Sequence, residues 1–198
     1  MGEMLDSGKG VKQDYVQATG WYRRAANQGH AEAQYNLGGM YDSGQGVSQD
    51  YKLAVHWFLK AAQKGVWQAY FNLGNMYYEG KGVPKNYLIS FKFFKLAAET
   101  GSVLAQYRFA YCYYKGQGVK RSLVYAHMWW NLASMSNNRD QILQYGEEVK
   151  GFPPAVIKQI QNKSLQNRDD VAKSMTSAQI FEAQKLAREC VAKNYKGC

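Results

Sequence analysis

Apolar side chains recur along the chain at intervals of three and four residues, in pairs of short runs. In residues 31–65 the first run is Ala33, Leu37, Met40 and Tyr41, and the second is Ala54, Trp57, Phe58, Ala61 and Ala62. Residues at this spacing lie on one face of an α-helix. The pattern predicts two amphipathic helices, helix A over about 31–43 and helix B over about 51–64.

This helix pair returns every 36 residues. Four glycines keep the step, Gly10, Gly46, Gly82 and Gly118, and so do four aromatic residues, Trp21, Trp57, Phe93 and Trp129. A fixed period of this length is typical of proteins built from stacked repeats. The register predicts a repeat region over 1–138, with a partial copy at 1–29 and full copies at 30–65, 66–101 and 102–138.

Capping residues mark the ends of helix B in each copy. The residue before it is Asp14, Asp50, Asn86 or Ser122, and the residue after it is Gly29, Gly65, Gly101 or, in the fourth copy, Asn137. The first group can accept hydrogen bonds from the free amides of a first helical turn, and the second tolerates the left-handed conformation that ends a helix. Glycines such as Gly44 and Gly46 suit the turn between the two helices.

The repeated pattern A-x-x-x-LG-x-MY-x-x-G-x-GV-x-x-DY-x-x-A-x-x-W-x-x-x-AA-x-x-G resembles the Sel1-like repeat, a relative of the tetratricopeptide repeat with a longer loop between its helices. The resemblance is strongest over 31–65 and 66–101. The fourth copy departs from the pattern, with Ala110 for the helix A glycine and Leu123 for the tyrosine after the cap. The resemblance implies an all-α, right-handed α-solenoid whose helices A line a concave binding surface.

Carried onto this sequence, the resemblance predicts partner-binding residues at the outward positions of helix A. They are Tyr35 and Asp42 in the second copy, Gln68, Phe71, Asn75 and Tyr78 in the third, and Tyr107, Arg108, Tyr111 and Tyr114 in the fourth. Positions that vary between copies are the better candidates, since variation on a fixed frame is how repeats acquire specificity. Tyr35, Phe71 and Tyr107 occupy equivalent positions, so packing between successive helices A is the alternative for them.

The period breaks after Asn138, and residues 139–198 form a predicted C-terminal helical extension. A short apolar stretch at Ile142, Tyr145 and Val149 ends at Gly151-Phe152-Pro153-Pro154, and a second helix begins near Ala155. Thr176 and Gln179 have the spacing of a capping box, which predicts a third helix with Ile180, Ala183, Ala187 and either Cys190 or Val191 on its apolar side. This extension is expected to cap the solenoid; alternatively, 139–166 folds back toward the groove.

The formal net charge is +10, from 25 basic and 15 acidic residues. A solvated convex face is the simplest interpretation, and attraction to an acidic partner or to an anionic membrane or cell-wall surface is the alternative. No nucleic-acid motif accompanies the charge, so nucleic acid is not an expected partner. No run of eighteen apolar residues is present, which predicts no transmembrane segment.

The sequence offers no candidate catalytic, cofactor or metal site. His30, His56 and His127 have no carboxylate or cysteine at ligand spacing, and neither a nucleophile motif nor a phosphate-binding loop is present. Cys112, Cys190 and Cys198 are an odd number without regular spacing; Cys112 is expected to be a buried apolar residue, and pairing of Cys190 with Cys198 stays open.

These patterns predict a non-enzymatic scaffold that binds a peptide or protein partner in the concave groove. The alternative, drawn from exported Sel1-like proteins, is a binder of cell-wall fragments or β-lactams with weak hydrolase activity, although this chain lacks the cysteine pair that some of them carry in each repeat. A third possibility is a segment of a longer array, because Met1 aligns with Leu37 in the middle of helix A. The resemblance favours a bacterial protein, in the envelope or secreted rather than cytoplasmic. Partner and oligomeric state stay open.

Overall fold

The computed structural model describes residues 1–135 and 154–198. Within these ranges the chain forms ten α-helices and no strand. They are α1 Gly2–Ser7, α2 Tyr15–Asn27, α3 Ala31–Ser43, α4 Tyr51–Ala62, α5 Trp67–Glu79, α6 Tyr87–Ala98, α7 Val103–Lys115, α8 Leu123–Met135, α9 Pro154–Ala172 and α10 Ser177–Ala192. The all-α prediction is confirmed, and the predicted bounds of helices A and B agree with α3 and α4 within two residues.

Odd-numbered helices from α1 to α7 are the helices A, and even-numbered helices from α2 to α8 are the helices B. The chain divides into two compact units, Met1–Asn86 and Tyr87–Cys198. The boundary predicted between 138 and 139, the short stretch at Ile142, Tyr145 and Val149, and the helix stop at Asn137 lie outside the described residues. None of the helices in the described ranges is long and apolar enough to cross a membrane.

The predicted caps hold each helix B to the helix A before it. Asp14, Asp50 and Ser122 accept hydrogen bonds from amides of the first turn, at 2.9 to 3.3 Å. The backbone amide at the cap position also donates to a carbonyl near the end of helix A in all four copies, as in Asp50 N to Tyr41 O at 2.9 Å. The loop is therefore fixed at its last residue by both the side chain and the backbone of the cap.

A side-chain hydrogen bond, which we call the loop tether, closes the same loop. The residue just before the cap donates to a carbonyl in the last turn of helix A seven residues earlier. These pairs are Gln13 Nε2 with Asp6 O at 2.7 Å, Gln49 Nε2 with Asp42 O at 2.7 Å, and Arg121 Nε with Tyr114 O at 3.0 Å. The fourth copy thus keeps the tether but builds it with an arginine.

The second loop glycine of each full copy lies against the copy before it. Gly46, Gly82 and Gly118 have φ between 69° and 74°, and a Cβ atom built on any of them would lie 2.1 to 2.3 Å from the carbonyl oxygen of Tyr15, Tyr51 or Tyr87, respectively. Each of these tyrosines is the first residue of the preceding helix B. Only glycine provides both the left-handed backbone and the missing Cβ that this contact requires.

Large aromatic side chains form the core of each unit. In the first unit Phe58 is fully buried, and a Cβ on Gly38 would lie 2.7 Å from its ring. In the second unit the buried Trp129 contacts Phe109, with ring centroids 5.0 Å apart. Ala110, at the position of Gly38 in the fourth copy, is also fully buried. Ala110 therefore carries a methyl group at the register position where Gly38 leaves room for the Phe58 ring.

The two C-terminal helices pack on the fourth copy. Helix α9 contacts α8 and α7, and α10 contacts α8. The capping box is confirmed, because Thr176 Oγ1 accepts from Gln179 N at 3.2 Å while Gln179 Oε1 accepts from Thr176 N at 2.9 Å. The predicted stripe of α10 is buried at Ala183, Ala187 and Cys190. Both helices therefore cover surface of the fourth copy, α9 on α7 and α8 and α10 on α8.

A disulfide joins Cys190 to Cys198, which settles the pairing that the sequence left open. The tail that it closes also reaches Glu99, the residue after α6, because Gly197 N donates to Glu99 Oε1 at 3.2 Å. Cys112 is a free, buried thiol whose pKa rises to about 12, mainly through burial. The expectation that Cys112 is a buried apolar residue is confirmed.

Removal of this disulfide is expected to destabilise the second unit. Cys198→Ser frees a loop with a sequence separation of 8, for which chain-entropy arguments give a loss of about 2–3 kcal/mol in the free energy of unfolding. Urea denaturation followed by circular dichroism measures it. Dithiothreitol should lower the midpoint of the wild type and leave that of Cys198→Ser unchanged; an unchanged wild-type midpoint would contradict the prediction.

Candidate functional site

The predicted binding residues of the first unit lie on α3 and α5, and they differ in burial. Asp42, Gln68, Asn75 and Tyr78 are partly exposed, whereas Phe71 is only 7% exposed. The ring of Tyr35 lies 5.8 Å from that of Phe58, and burial raises the pKa of the Tyr35 hydroxyl, with a hydrogen bond to Asn72 opposing the rise. Phe71 therefore has the burial that the packing alternative expects, whereas Tyr35 is only partly buried, and the role of both residues in binding stays a prediction.

Charged groups surround the outer end of α3. Burial raises the pKa of the Asp42 carboxyl, Lys81 opposes the rise and Glu79 adds to it. Lys81 itself pairs with Glu79 at 2.7 Å. In the same unit the Lys85 ammonium lies 5.9 Å from the centroid of the Tyr78 ring, close enough for a cation–π contact. Lys81 lies in the same way over the Tyr51 ring, at 5.6 Å, so this region is polar, mixed in charge and has aromatic rings beside its cations.

The predicted residues of the fourth copy converge on a pocket in the second unit. Tyr107, Tyr111 and Tyr114 of α7 line it together with Leu123 and Trp130, and its volume is about 400 Å³. The three tyrosines are partly exposed, while Trp130 is 1% exposed and its ring contacts that of Tyr114 at 5.5 Å. Trp130 stands at the position of Phe58 in the repeat register, so the ring that packs in the second copy lines a pocket in the fourth. Arg108 is partly exposed on α7 but does not line this pocket.

Helix α9 provides the opposite wall. Lys163, Asn167, Asp170 and Val171 line the pocket from this helix, and Ser174 lines it just beyond the helix end. The buried residues of α9 are Ile157, Ser164 and Val171, seven residues apart. Arg168 Nη1 also donates to Asn131 Oδ1 of α8 at 3.1 Å, which fixes the rotation of the helix. Helix α9 therefore packs by one stripe and presents a neighbouring polar stripe to the pocket.

The rim of the pocket is positively charged. Arg121 lines the pocket with its Cζ atom 5.9 Å from the Tyr114 ring centroid, and Lys163 lines it from α9. Lys115, which is not one of the lining residues, lies beside the same ring, with Nζ 5.0 Å from the centroid. Among the described residues of the lining, Asp170 is acidic, and it is paired with Lys173 Nζ at 2.7 Å. An anionic group entering the pocket would meet Arg121 and Lys163, which form no ion pair with any described residue, beside the aromatic rings.

This wall was missed by the sequence analysis, which predicted binding residues on helices A alone. The spacing of Lys163, Asn167, Asp170 and Ser174 is that of one helical face, and it borders the apolar stripe of the same helix. A polar face beside the apolar stripe of a helix indicates that the helix has a second surface to present. Which part of the protein this surface faces is known only once the packing of the helix is known. The alternative that 139–166 folds back toward the groove concerns a segment whose first part, up to residue 153, lies outside the described residues. In its described part, helix α9 contacts α7, the helix A of the fourth copy.

In the portion of the chain that the structure describes, no group of three or more histidine, cysteine or carboxylate side chains could hold a metal ion. The described lining of the pocket offers aromatic rings, cations, amide and hydroxyl groups and the paired carboxylate of Asp170, all of which can contact a bound ligand.

Comparison with known proteins agrees with the repeat register. The family model described as "Sel1 repeat" matches residues 1–30, 31–66, 67–102 and 103–138. The structure is similar to that of a Sel1 repeat protein from Oxalobacter formigenes, with 30% identity and a TM-score of 0.65 over 89% of this chain and 72% of that one. It is also similar to a protective antigen present in uropathogenic Escherichia coli strains that displays an SLR fold, with 27% identity and a TM-score of 0.60 over 98% of this chain and 45% of that one. No curated protein sequence matches the chain.

Proposed function

Because the chain belongs to the Sel1 repeat family, an α-solenoid family whose members generally mediate protein–protein interactions, we propose that it is a non-catalytic adaptor that binds a peptide segment of a partner protein. The binding surface is the outward face of helices A, and its main anchor is the pocket of the fourth copy. The similar solved structures are bacterial, which supports a role in bacterial signalling, envelope maintenance or host interaction.

The observation that carries this proposal is the convergence of Tyr107, Tyr111 and Tyr114 on one concavity. The repeat resemblance, carried onto this sequence, implies these three positions as binding residues, and they line the pocket with Trp130. Tyrosine gives a large contact area at low cost in side-chain entropy and is enriched at the energetic centres of interfaces. A volume of about 400 Å³ lies at the small end of the range of about 300–1,000 Å³ for ligand pockets, which suits one or two side chains of a peptide.

Truncation of the pocket tyrosines is expected to weaken partner binding strongly. After capture of the partner from a bacterial lysate, the dissociation constant of the purified pair is measured by isothermal titration calorimetry. Tyr111→Ala and Tyr114→Ala should each raise it about 30-fold, corresponding to about 2 kcal/mol for an interface anchor. Phe181→Ala removes an aromatic ring that is 63% exposed on α10 and should leave the constant unchanged.

Circular dichroism of each variant separates loss of binding from loss of structure. A folded Tyr111→Ala, Tyr114→Ala double variant that binds the partner as tightly as the wild type would remove the pocket from the interface. An equal loss in Phe181→Ala would instead place the interface on the C-terminal helices.

A further inference from the structure

We propose that the pocket of the fourth copy recognises an acidic side chain, a glutamate or aspartate next to an apolar residue, in the partner segment. This inference rests on the proposed function and names the chemistry that its main anchor reads. Two observations support it. The fourth copy alone has an arginine, Arg121, at the loop tether, and Lys163 and Asn167 of α9 have no partner within the described residues.

Arg121 is the first of these groups. In the first two copies the tether residue is Gln13 or Gln49, whose side-chain nitrogen is used by the tether itself. Arg121 makes the same tether with Nε, at 3.0 Å from Tyr114 O, and its two terminal nitrogens make no hydrogen bond within the described residues. The guanidinium is thus held in place at the pocket with two donors available, and a fixed pair of N–H groups matches the two oxygens of a carboxylate.

The polar stripe of α9 is the second. A helix that only covered the repeat would present apolar residues to it, yet Lys163 and Asn167 line the pocket, and their side chains form no hydrogen bond or ion pair with any described residue. Lys163 is a cation opposite Arg121, and Asn167 can both donate and accept hydrogen bonds. These two groups have the chemistry of a binding wall rather than that of a packing face.

The lining also indicates what surrounds the carboxylate. Trp130, Leu123 and Val171 form an apolar floor, of which Trp130 and Val171 are buried. Asp170 disfavours a highly acidic ligand, although its pairing with Lys173 at 2.7 Å compensates its charge. The pocket therefore fits one carboxylate with adjoining apolar contact better than a dense run of acidic residues.

The test uses the whole protein and two blocked pentapeptides, acetyl-Gly-Leu-Glu-Leu-Gly-amide and its glutamine counterpart, which carry no terminal charge. Binding is followed by the NMR signal of the Trp130 indole N–H, identified by its loss in Trp130→Phe. We expect the glutamate peptide to shift this signal at millimolar concentration and the glutamine peptide to bind at least 10-fold more weakly. Arg121→Gln, which restores the tether residue of the first two copies, should weaken binding of the glutamate peptide about 10-fold.

Lys158→Gln is the matched control, because it removes one exposed positive charge from α9 outside the pocket lining. Equal weakening by Lys158→Gln and Arg121→Gln would overturn the inference in favour of general charge attraction. So would equal binding of both peptides, no shift of the Trp130 signal, or displacement of the glutamate peptide by an equimolar amount of inorganic phosphate. If Tyr111→Ala loses the partner protein while Arg121→Gln binds it as the wild type does, the proposed function stands and this inference fails.

Discussion

Gly46→Ala is expected to destabilise the first unit by about 2–5 kcal/mol, which is a large part of the stability of a small domain. The left-handed backbone, with φ of 69°, costs about 1–2 kcal/mol for alanine. The new methyl group would also lie 2.1 Å from the carbonyl oxygen of Tyr15, and relief of such overpacking costs about 1–3 kcal/mol more. Urea denaturation followed by circular dichroism measures the change in the free energy of unfolding.

Gly65→Ala separates the two causes. Gly65 also has a left-handed backbone, with φ of 83°, but a Cβ atom built on it has no neighbour within 4 Å. This variant should therefore lose only the conformational part, about 1–2 kcal/mol. Equal losses in Gly46→Ala and Gly65→Ala would show that the close approach to the preceding copy contributes nothing.

The second large effect is expected for Phe58→Ala, with a loss of about 3–5 kcal/mol in the free energy of unfolding. Phe58 is fully buried and lies under Gly38 and beside Tyr35, so its removal leaves a cavity between α3 and α4. Leu53→Ala on the same helix removes a side chain that is 38% exposed, and it should cost less than about 1 kcal/mol.

A double-mutant cycle tests whether Gly38 is required by the Phe58 ring. Gly38→Ala alone places a methyl group 2.7 Å from that ring and should destabilise the unit. In the Phe58→Ala background the same methyl group has room, so its cost should fall close to zero or reverse in sign. Additive effects of Gly38→Ala and Phe58→Ala would contradict the contact.

Local rules account for the parts of the fold that the sequence predicts well. The period, the caps at Asp14, Asp50 and Ser122, and the glycine stops depend on residues close together in the chain, and each has one favoured geometry. The residues at the fourth copy's helix A surface are implied by the resemblance to the repeat family, once the period has aligned the copies. These features could be assigned without knowledge of how any helix packs on a distant one.

The other half of the pocket depends on such distant packing. Lys163 and Asn167 are separated from Tyr114 by about fifty residues, and no local preference specifies that α9 lies across α7 and α8. The place of Trp130 in the pocket depends on packing too, because its buried ring contacts Tyr114 of the neighbouring helix α7. For Tyr35 and Phe71 the sequence allows two roles, partner binding and packing between helices A. Their burial in the folded protein, which bears on that choice, cannot be read from the sequence.

The doubly anchored loop has a consequence for how such a protein can change its length. Each loop bonds to its own helix A through the cap amide, and in the three full copies its second glycine fits against the preceding helix B, as Gly46 does against Tyr15. An insertion of one or two residues would break both contacts at once. Insertion or loss of a full 36-residue step would keep them all, so whole-repeat duplication is the change of length that this architecture tolerates.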